Sequence, residues 1–140
     1  MAKMLGDNMR LFIKTGDATY VQPLGQGNLT INRSGSSIDT SDKNTGRYGT
    51  SAPGQKTLTI TQAIQPNLPD AAYTAMKLAD STSVITNYEV RDITVTDPVA
   101  ATLFACDMYT DFGNTDAAQK GVVGTSVTLN AAAAPTVDLI

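Results

Sequence analysis

The stretch Lys56-Thr-Leu-Thr-Ile-Thr-Gln-Ala-Ile64 decides the fold class, because apolar and polar residues alternate along it. Leu58 and Ile60 fall on one side of an extended chain, and the threonines fall on the other. Residues 28–32, Asn-Leu-Thr-Ile-Asn, repeat the pattern. Such alternation is typical of half-buried β-strands, which threonine favours. Two strands are therefore predicted on either side of a long polar stretch.

The rest of the chain adds further strands and one helix. Asp70 follows a proline-rich break and suits a helix N-cap, and Tyr73, Met76 and Ala79 form an apolar stripe behind it. We therefore predict a helix over residues 70–80. Further strands are predicted at residues 10–14, 18–24, 84–90, 103–109 and 122–129.

These elements predict a mainly β (α+β) fold in a single domain over residues 1–140. The expected architecture is a sandwich or barrel of two packed antiparallel sheets, flanked by one short α-helix. Ile93 and Val95 are out of phase with the preceding strand, which predicts a turn or bulge near Arg91 and Asp92. A long extended loop at residues 34–55 and a C-terminal arm at residues 131–140 complete the expected organisation.

The composition argues against catalysis. The chain has no histidine, so it has no histidine base and no His-ligated metal. The single cysteine, Cys106, shares a strand face with Phe104 and Met108, which indicates an inert core residue. Asp107 and Asp111 could pair as catalytic carboxylates, but their spacing in a strand gives no fixed geometry, so we interpret them as solvated or lining charges. We expect neither an enzyme nor a cofactor.

Charge is uneven along the chain, whose net charge is −3. Residues 1–79 carry eight basic and five acidic residues, a net of +3, whereas residues 80–140, with two basic and eight acidic residues, have a net of −6. The basic residues include Lys3 in the first of these two parts and Lys120 in the second. The overall acidity disfavours a protein that grips nucleic-acid phosphates. The two halves could dock on copies of the same chain, or the fold could mix them so that no patch survives.

Targeting signals are not evident in the sequence. No apolar run approaches the roughly 20 residues that a membrane-spanning helix needs. The N-terminus has no apolar signal-peptide core. We expect a chain that is made in a cytoplasm and has no membrane partner.

Two segments lack an explanation within a single copy. The polar stretch at residues 34–55 exceeds the usual length of an unstructured loop in a compact domain. The segment at residues 131–140 is apolar, contains Pro135 and reads as an arm rather than a closing strand. Long ordered loops and exposed apolar segments usually bind a partner.

The long polar stretch resembles the major tail tube proteins of tailed phages. The shared elements are a strand that ends in Ile38-Asp-Thr-Ser41, a Gly46 to Tyr48 segment, a Pro53-Gly54 turn and the alternating strand that follows. The order of elements also matches: an N-terminal hairpin, a long loop, a strand, a short helix and then strands to the C-terminus.

The resemblance implies a structural subunit of a phage tail tube. Six copies would form a ring through continuous inter-subunit sheet, and stacked rings would form a hollow tube that conducts double-stranded DNA without specific binding. Partners would be the chain itself and the tail terminator, baseplate or tip, and tape-measure proteins. The subunit would reside in the virion tail and assemble in the host bacterial cytoplasm.

The resemblance also assigns surfaces. The long loop would contact the neighbouring ring through Asp39, Thr40, Ser41, Asp42, Lys43, Arg47, Tyr48 and Lys56. An acidic lumen would repel DNA phosphates, and the candidate acids are Glu89, Asp92, Asp107 and Asp111. The C-terminal arm would dock on a neighbouring subunit through Val137, Leu139 and Ile140.

Two alternatives stay open from the sequence. One is the inner tube of a contractile tail or a related injection system. The other is a β-sandwich module that binds a glycan or a surface receptor. The lack of tryptophan and the 6% aromatic content weaken the second, because sugars are usually bound on aromatic faces.

Overall fold

The computed structural model describes residues 5–17, 19–44, 46–117, 119 and 121–140. Lys3, Lys120 and Ala18, the expected start of the second strand, lie outside these residues. A 3-10 turn at Gly6–Asn8 precedes the first strand. The strands and helices that follow are β1 (Met9–Gly16), β2 (Thr19–Val21), β3 (Gln26–Asp39), β4 (Ser51–Ile64), α1 (Ala71–Thr82), β5 (Ile85–Asp92), α2 (Pro98–Ala101), β6 (Thr102–Asp116), β7 (Gly124–Ala131) and β8 (Val137–Asp138).

The predicted mainly β class with a short helix is confirmed, but the described strands form one continuous antiparallel sheet instead of two. Its order is β2-β1-β5-β6-β7-β4-β3, and β8 also pairs with β6. The long strand β6 joins the two parts. Its first half pairs with β5 up to Tyr109, and its second half, from Met108 onward, pairs with β7.

A side chain links β3, the last strand of this order, to β1, the second strand. Gln26, at the start of β3, donates from Nε2 to the carbonyl of Leu11 in β1 and accepts the Leu11 N–H at Oε1, both at 2.9 Å. The amide of one side chain thus takes the place of a backbone ladder between β1 and β3.

The core lies inside the curled sheet and under α1. Asp70 caps α1 by accepting the Ala72 N–H at 3.1 Å, and the predicted stripe of Tyr73, Met76 and Ala79 is buried, as expected. Alternate residues of the strands complete the core, which includes Leu11, Ile13, Ile60, Tyr88, Phe104, Cys106, Met108, Val127 and Leu129. The predicted bulge is confirmed as a register shift between Val90 and Arg91.

The expected loop at residues 34–55 is mostly paired strand. β3 and β4 stay in register out to Asp39 opposite Ser51, so the connection between them covers only residues 40–50. These strand ends extend beyond the core, and residues 32–39 of β3 are all exposed. Because neither face is buried there, the sequence needs no apolar alternation, and the paired strands look like a loop. β6 likewise runs on to Asp116, beyond the end of the strand predicted at residues 103–109.

Candidate assembly surfaces

The hairpin arm, defined as residues 34–55 with the loop at its tip, is the most prominent projecting feature. The five residue steps from Ser34 to Asp39 span roughly 17 Å at about 3.3 Å per residue. Thr40 donates its N–H to the carbonyl of Thr50 at 3.0 Å, which closes the arm beyond its last strand pair. The arm is an ordered extension of the sheet.

The tip of the arm is organised by short-range hydrogen bonds. Asp39 accepts the N–H of Ser41 at 2.9 Å, and this bond together with the Ser41 hydroxyl lowers the pKa of Asp39 below its usual value. Asp42 accepts the N–H of Asn44 at 2.8 Å. Gly46 has φ of +70°, a conformation that glycine adopts without strain. The tip therefore presents its side chains from a defined backbone.

All eight residues predicted for contact between rings are exposed. Seven lie within residues 39–48, at the end of β3 and in the tip, while Lys56 lies at the base in β4. The structure thus brings seven of them together and separates Lys56 from them. Whether they contact another copy stays a prediction.

The four candidate lumen acids lie in different environments. Glu89 in β5 is only 13% exposed in its side chain and forms an ion pair of 2.7 Å with Arg91. Arg91 in turn packs over the rings of Phe12 and Tyr20, at 5.0 and 4.7 Å from their centres. Because the Glu89 charge is compensated locally, it adds little to a field in front of the sheet.

Asp92 lies where β5 ends and the chain leaves the sheet. It accepts hydrogen bonds from the hydroxyl and the N–H of Thr94, at 2.6 and 2.9 Å. These bonds stabilise the carboxylate and lower the pKa of Asp92. Its role at this position is to fix the turn after β5.

Asp107 and Asp111 are both exposed on the outer face of β6. Asn87 donates to Asp107 at 2.9 Å, and Asp111 lies opposite Thr128 of β7. Four residues along a strand separate the two carboxylates by roughly 13 Å. That distance is too long for a shared proton, and it suits two independent surface charges.

The C-terminal segment lies along its own subunit, which corrects the expectation of an arm that does not close the sheet. β8 pairs with β6 at Phe104 and Ala105. The N–H of Leu139 donates to the carbonyl of Leu103 at 2.8 Å. β7 leaves the first part of β6 unpaired along this edge, and the C-terminal segment pairs there instead. Ile140 packs against the core and Val137 is half-buried, whereas Leu139 is 71% exposed.

Two features escaped the sequence interpretation. Arg33 forms an ion pair with Asp138 and also donates to the carbonyl of Ile140, so it joins β3 to the C-terminus. Arg33 lies on the same side of β3 as Leu29 and Ile31. A charged residue on this apolar side is the signal in the sequence that could identify the contact. The second feature is an apolar cleft between α1 and the β1–β2 hairpin, signalled by Leu78, which lies outside the helix stripe and is 62% exposed.

Neither a metal site nor a membrane helix is found in the described part of the chain. No group of three acidic or cysteine side chains there could hold a metal ion. Within the same residues, no helix is long and apolar enough to cross a membrane. Burial raises the pKa of the Cys106 thiol, in keeping with a core position.

Solved structures with the same fold come from tail-like assemblies. No protein-family model and no curated protein matches the sequence. A chain from the tail of an empty gene transfer agent particle, determined with C6 symmetry, has a TM-score of 0.77 at 12% identity, covering 96% of this chain and 98% of its own. The SPP1 tail tube has a TM-score of 0.70 at 14% identity, and the match covers 98% of this chain and 82% of the SPP1 chain.

A more distant likeness is to a chain from the sheath–tube complex of an extracellular contractile injection system. Its TM-score is 0.53 at 14% identity, covering 87% of this chain and 84% of its own. The shared architecture covers nearly all of the described sheet and helix in the gene transfer agent and SPP1 structures. The chain therefore has the fold of tail tube proteins.

Proposed function

We propose that this chain is a structural subunit of a phage-type tail tube, in which rings of six copies stack into a hollow tube. The observation that carries the proposal is the likeness to a chain of a C6-symmetric tail over 96% of this chain and 98% of that one. The proposed role is mechanical, so it requires no enzyme activity.

The sheet edges support ring formation. β2 and β3 end the strand order, and β2 has only three residues. The start of β3 is joined to β1 through Gln26, and the rest of its edge is free. Free strand edges pair readily with another chain. A contact between two different edges is heterologous, and repetition of such a contact closes a ring. We assign the continuous sheet of the ring to these edges.

The hairpin arm and the C-terminus provide contacts between subunits in this proposal. The arm projects beyond the core and carries seven of the predicted contact residues near its tip, so we assign it to the neighbouring ring. Leu139 is exposed on the outside of the C-terminal segment and is the residue there best placed to contact another subunit. Val137 and Ile140 hold that segment on its own sheet.

Asp107 and Asp111 are the acids that best fit a lumen surface. Both are exposed on one face of β6, the central strand of the sheet order, whereas Glu89 is paired with Arg91. Acidic side chains would repel DNA phosphates and let double-stranded DNA pass without specific binding. Tail terminator, baseplate or tip and tape-measure proteins would be further partners. The subunit would reside in the virion tail after assembly in the host cytoplasm.

The inner tube of a contractile system is the second candidate. The lower TM-score of 0.53 for the contractile sheath–tube complex, against 0.77 for the gene transfer agent tail, favours the first assignment. A β-sandwich module for glycans has no comparable observation in its favour.

A shortened arm tests the proposed function. Residues 40–50 would be replaced by Asn-Gly, which closes a two-residue hairpin between Asp39 and Ser51. The expected product is a folded monomer that no longer polymerises, measured by circular dichroism and light scattering beside the unaltered chain. Normal polymers from the shortened chain would exclude the arm as the contact between rings.

A further inference from the structure

Tyr48 is the most exposed aromatic residue in the described part of the chain. It lies at the tip of the hairpin arm, and 80% of its surface is exposed. The described residues of the tip are held by the Asp39, Asp42 and Thr50 hydrogen bonds, so these residues lose little conformational freedom on binding. Ordered, projecting tyrosines are typical anchors of protein interfaces.

An apolar cleft, shallow and open to solvent, lies between α1 and the β1–β2 hairpin. The buried stripe of α1 faces the sheet, whereas another side of the same helix lines the cleft. Leu78 stays 62% exposed at its rim. The mainly apolar lining also includes three polar residues, and its full set is Thr15, Val21, Pro69, Asp70, Ala71, Thr74, Ala75 and Leu78.

The tip and the cleft lie at opposite ends of β3. The cleft residue Asp70 accepts the N–H of Leu24 at 2.7 Å, just before β3 begins at Gln26. Asp39 ends β3 thirteen residues later, roughly 40 Å away along the strand. Tyr48 therefore cannot reach the cleft of its own copy. A contact between opposite ends of two copies repeats head to tail and propagates as a stack.

The tip carries two acidic and two basic side chains, and the cleft side offers a carboxylate that can pair with one of the basic ones. Arg47 precedes Tyr48 and is exposed at the tip. Asp17 is exposed in the turn between β1 and β2, two residues from Thr15 of the cleft. The neighbouring Lys14 alternates to the outer side of β1, where it lies opposite Tyr20.

We propose that the Tyr48 side chain of one copy inserts into the cleft between α1 and the β1–β2 hairpin of a second copy, with Arg47 facing Asp17 across the contact. This inference rests on the proposed tube function and names the surface that receives the arm. The occupant is a second copy, because the tip supplies both the aromatic ring and the charge that this cleft accommodates.

Substitutions at both surfaces test the contact. Tyr48→Ala is expected to raise the protein concentration needed for polymerisation about tenfold or more, as for an interface anchor. Tyr48→Phe keeps the ring and is the matched control, expected to polymerise like the unaltered chain. The thermal midpoint of the monomer should not change, because Tyr48 is exposed. Arg47→Asp and Asp17→Arg should each weaken polymerisation, and the double variant should restore it.

A cross-link locates the contact. At a protein concentration at which Tyr48→Ala still polymerises, Tyr48→Cys combined with Leu78→Cys should form disulfides between copies, seen as a ladder on a non-reducing gel, while Tyr48→Cys alone should not. The native Cys106 is fully buried and stays unreactive. Polymers that give no ladder and tolerate Tyr48→Ala would overturn this inference and leave the tube function standing. An unaltered chain that never polymerises would overturn both.

Discussion

Arg33 and Asp138 form an ion pair of 2.7 Å between Nη2 and Oδ1, although 105 residues separate them in the sequence. The pair ties β3, at the base of the hairpin arm, to β8 at the C-terminus. Arg33 also donates to the carbonyl of Ile140, so one guanidinium binds two of the last three residues. The position of the C-terminal segment is thereby coupled to the strand that carries the arm.

Arg33→Leu is expected to release the C-terminal segment with little effect on global stability. Both partners are about 40% exposed, so their pairing contributes about 0–1 kcal/mol to the free energy of unfolding. Because β8 has only two residues, it depends on this tie. Hydrogen exchange of the Leu139 amide should accelerate while the thermal midpoint stays nearly constant. Equal exchange in both proteins would show that β8 is held by its backbone bonds alone.

Gln26→Ala is expected to open the seam between β1 and β3. Leu11 is fully buried, and without the Gln26 amide its N–H and carbonyl lose their partners on that side. An unsatisfied buried group costs about 1–3 kcal/mol, so the free energy of unfolding in urea should fall by that order. Gln55→Ala in the exposed arm is the control and should lie within about 0.5 kcal/mol of the unaltered chain. A Gln26→Ala protein as stable as this control would refute the seam.

Stability is expected to fall at high pH because of Tyr88. Burial raises the pKa of Tyr88 to about 12 from an ordinary value of 10.0, and its hydroxyl bonds to Thr110. The unfolded chain loses this proton near pH 10, whereas the folded chain keeps it to about pH 12. The free energy of unfolding therefore decreases from pH 10 to 12, by at most about 2–3 kcal/mol from this group.

Tyr88→Phe should remove that part of the pH dependence, measured by urea unfolding at several alkaline pH values. At neutral pH the same substitution leaves the Thr110 hydroxyl without its partner and should cost about 1 kcal/mol. An identical alkaline slope in both proteins would mean that Tyr88 titrates normally in the folded chain.

Replacing Asp107 and Asp111 by lysine is expected to slow DNA ejection from assembled particles. The change reverses the charge at two exposed positions of β6, and attraction to phosphates would replace repulsion. Asn at both positions gives the neutral intermediate, so the ejection rate should fall in the order Asp, Asn, Lys. The effect should weaken as salt increases, because added ions screen exposed charges. Ejection kinetics that do not depend on this series would place both acids outside the lumen.

The alternating segments made much of the fold predictable from the sequence. The strands around Leu29 and Ile60, the helix after Asp70 and the bulge at Arg91 follow from periodicity, capping and a phase change. In each case the core imposes a pattern on the residues that face it. The same rule places Cys106 in the core, as its strand face predicts.

The features that were missed have no such pattern. The paired strands of the hairpin arm lie beyond the core, so Ser34 and Ser51 carry no signal of burial. The place of β8 depends on an edge that β7 leaves free and on Arg33, which is distant in sequence. Among the candidate acids, the sequence could not separate Glu89, which pairs with Arg91, from the exposed Asp107. These differences arise from tertiary contacts.

Negative-stain electron microscopy of the purified, unaltered chain at increasing concentration tests the central claim most directly. The account predicts hollow tubes of uniform width, with sixfold symmetry in end views. A chain that remains a compact monomer at every concentration, alone and with fragments of assembled tubes added as seeds, would contradict it.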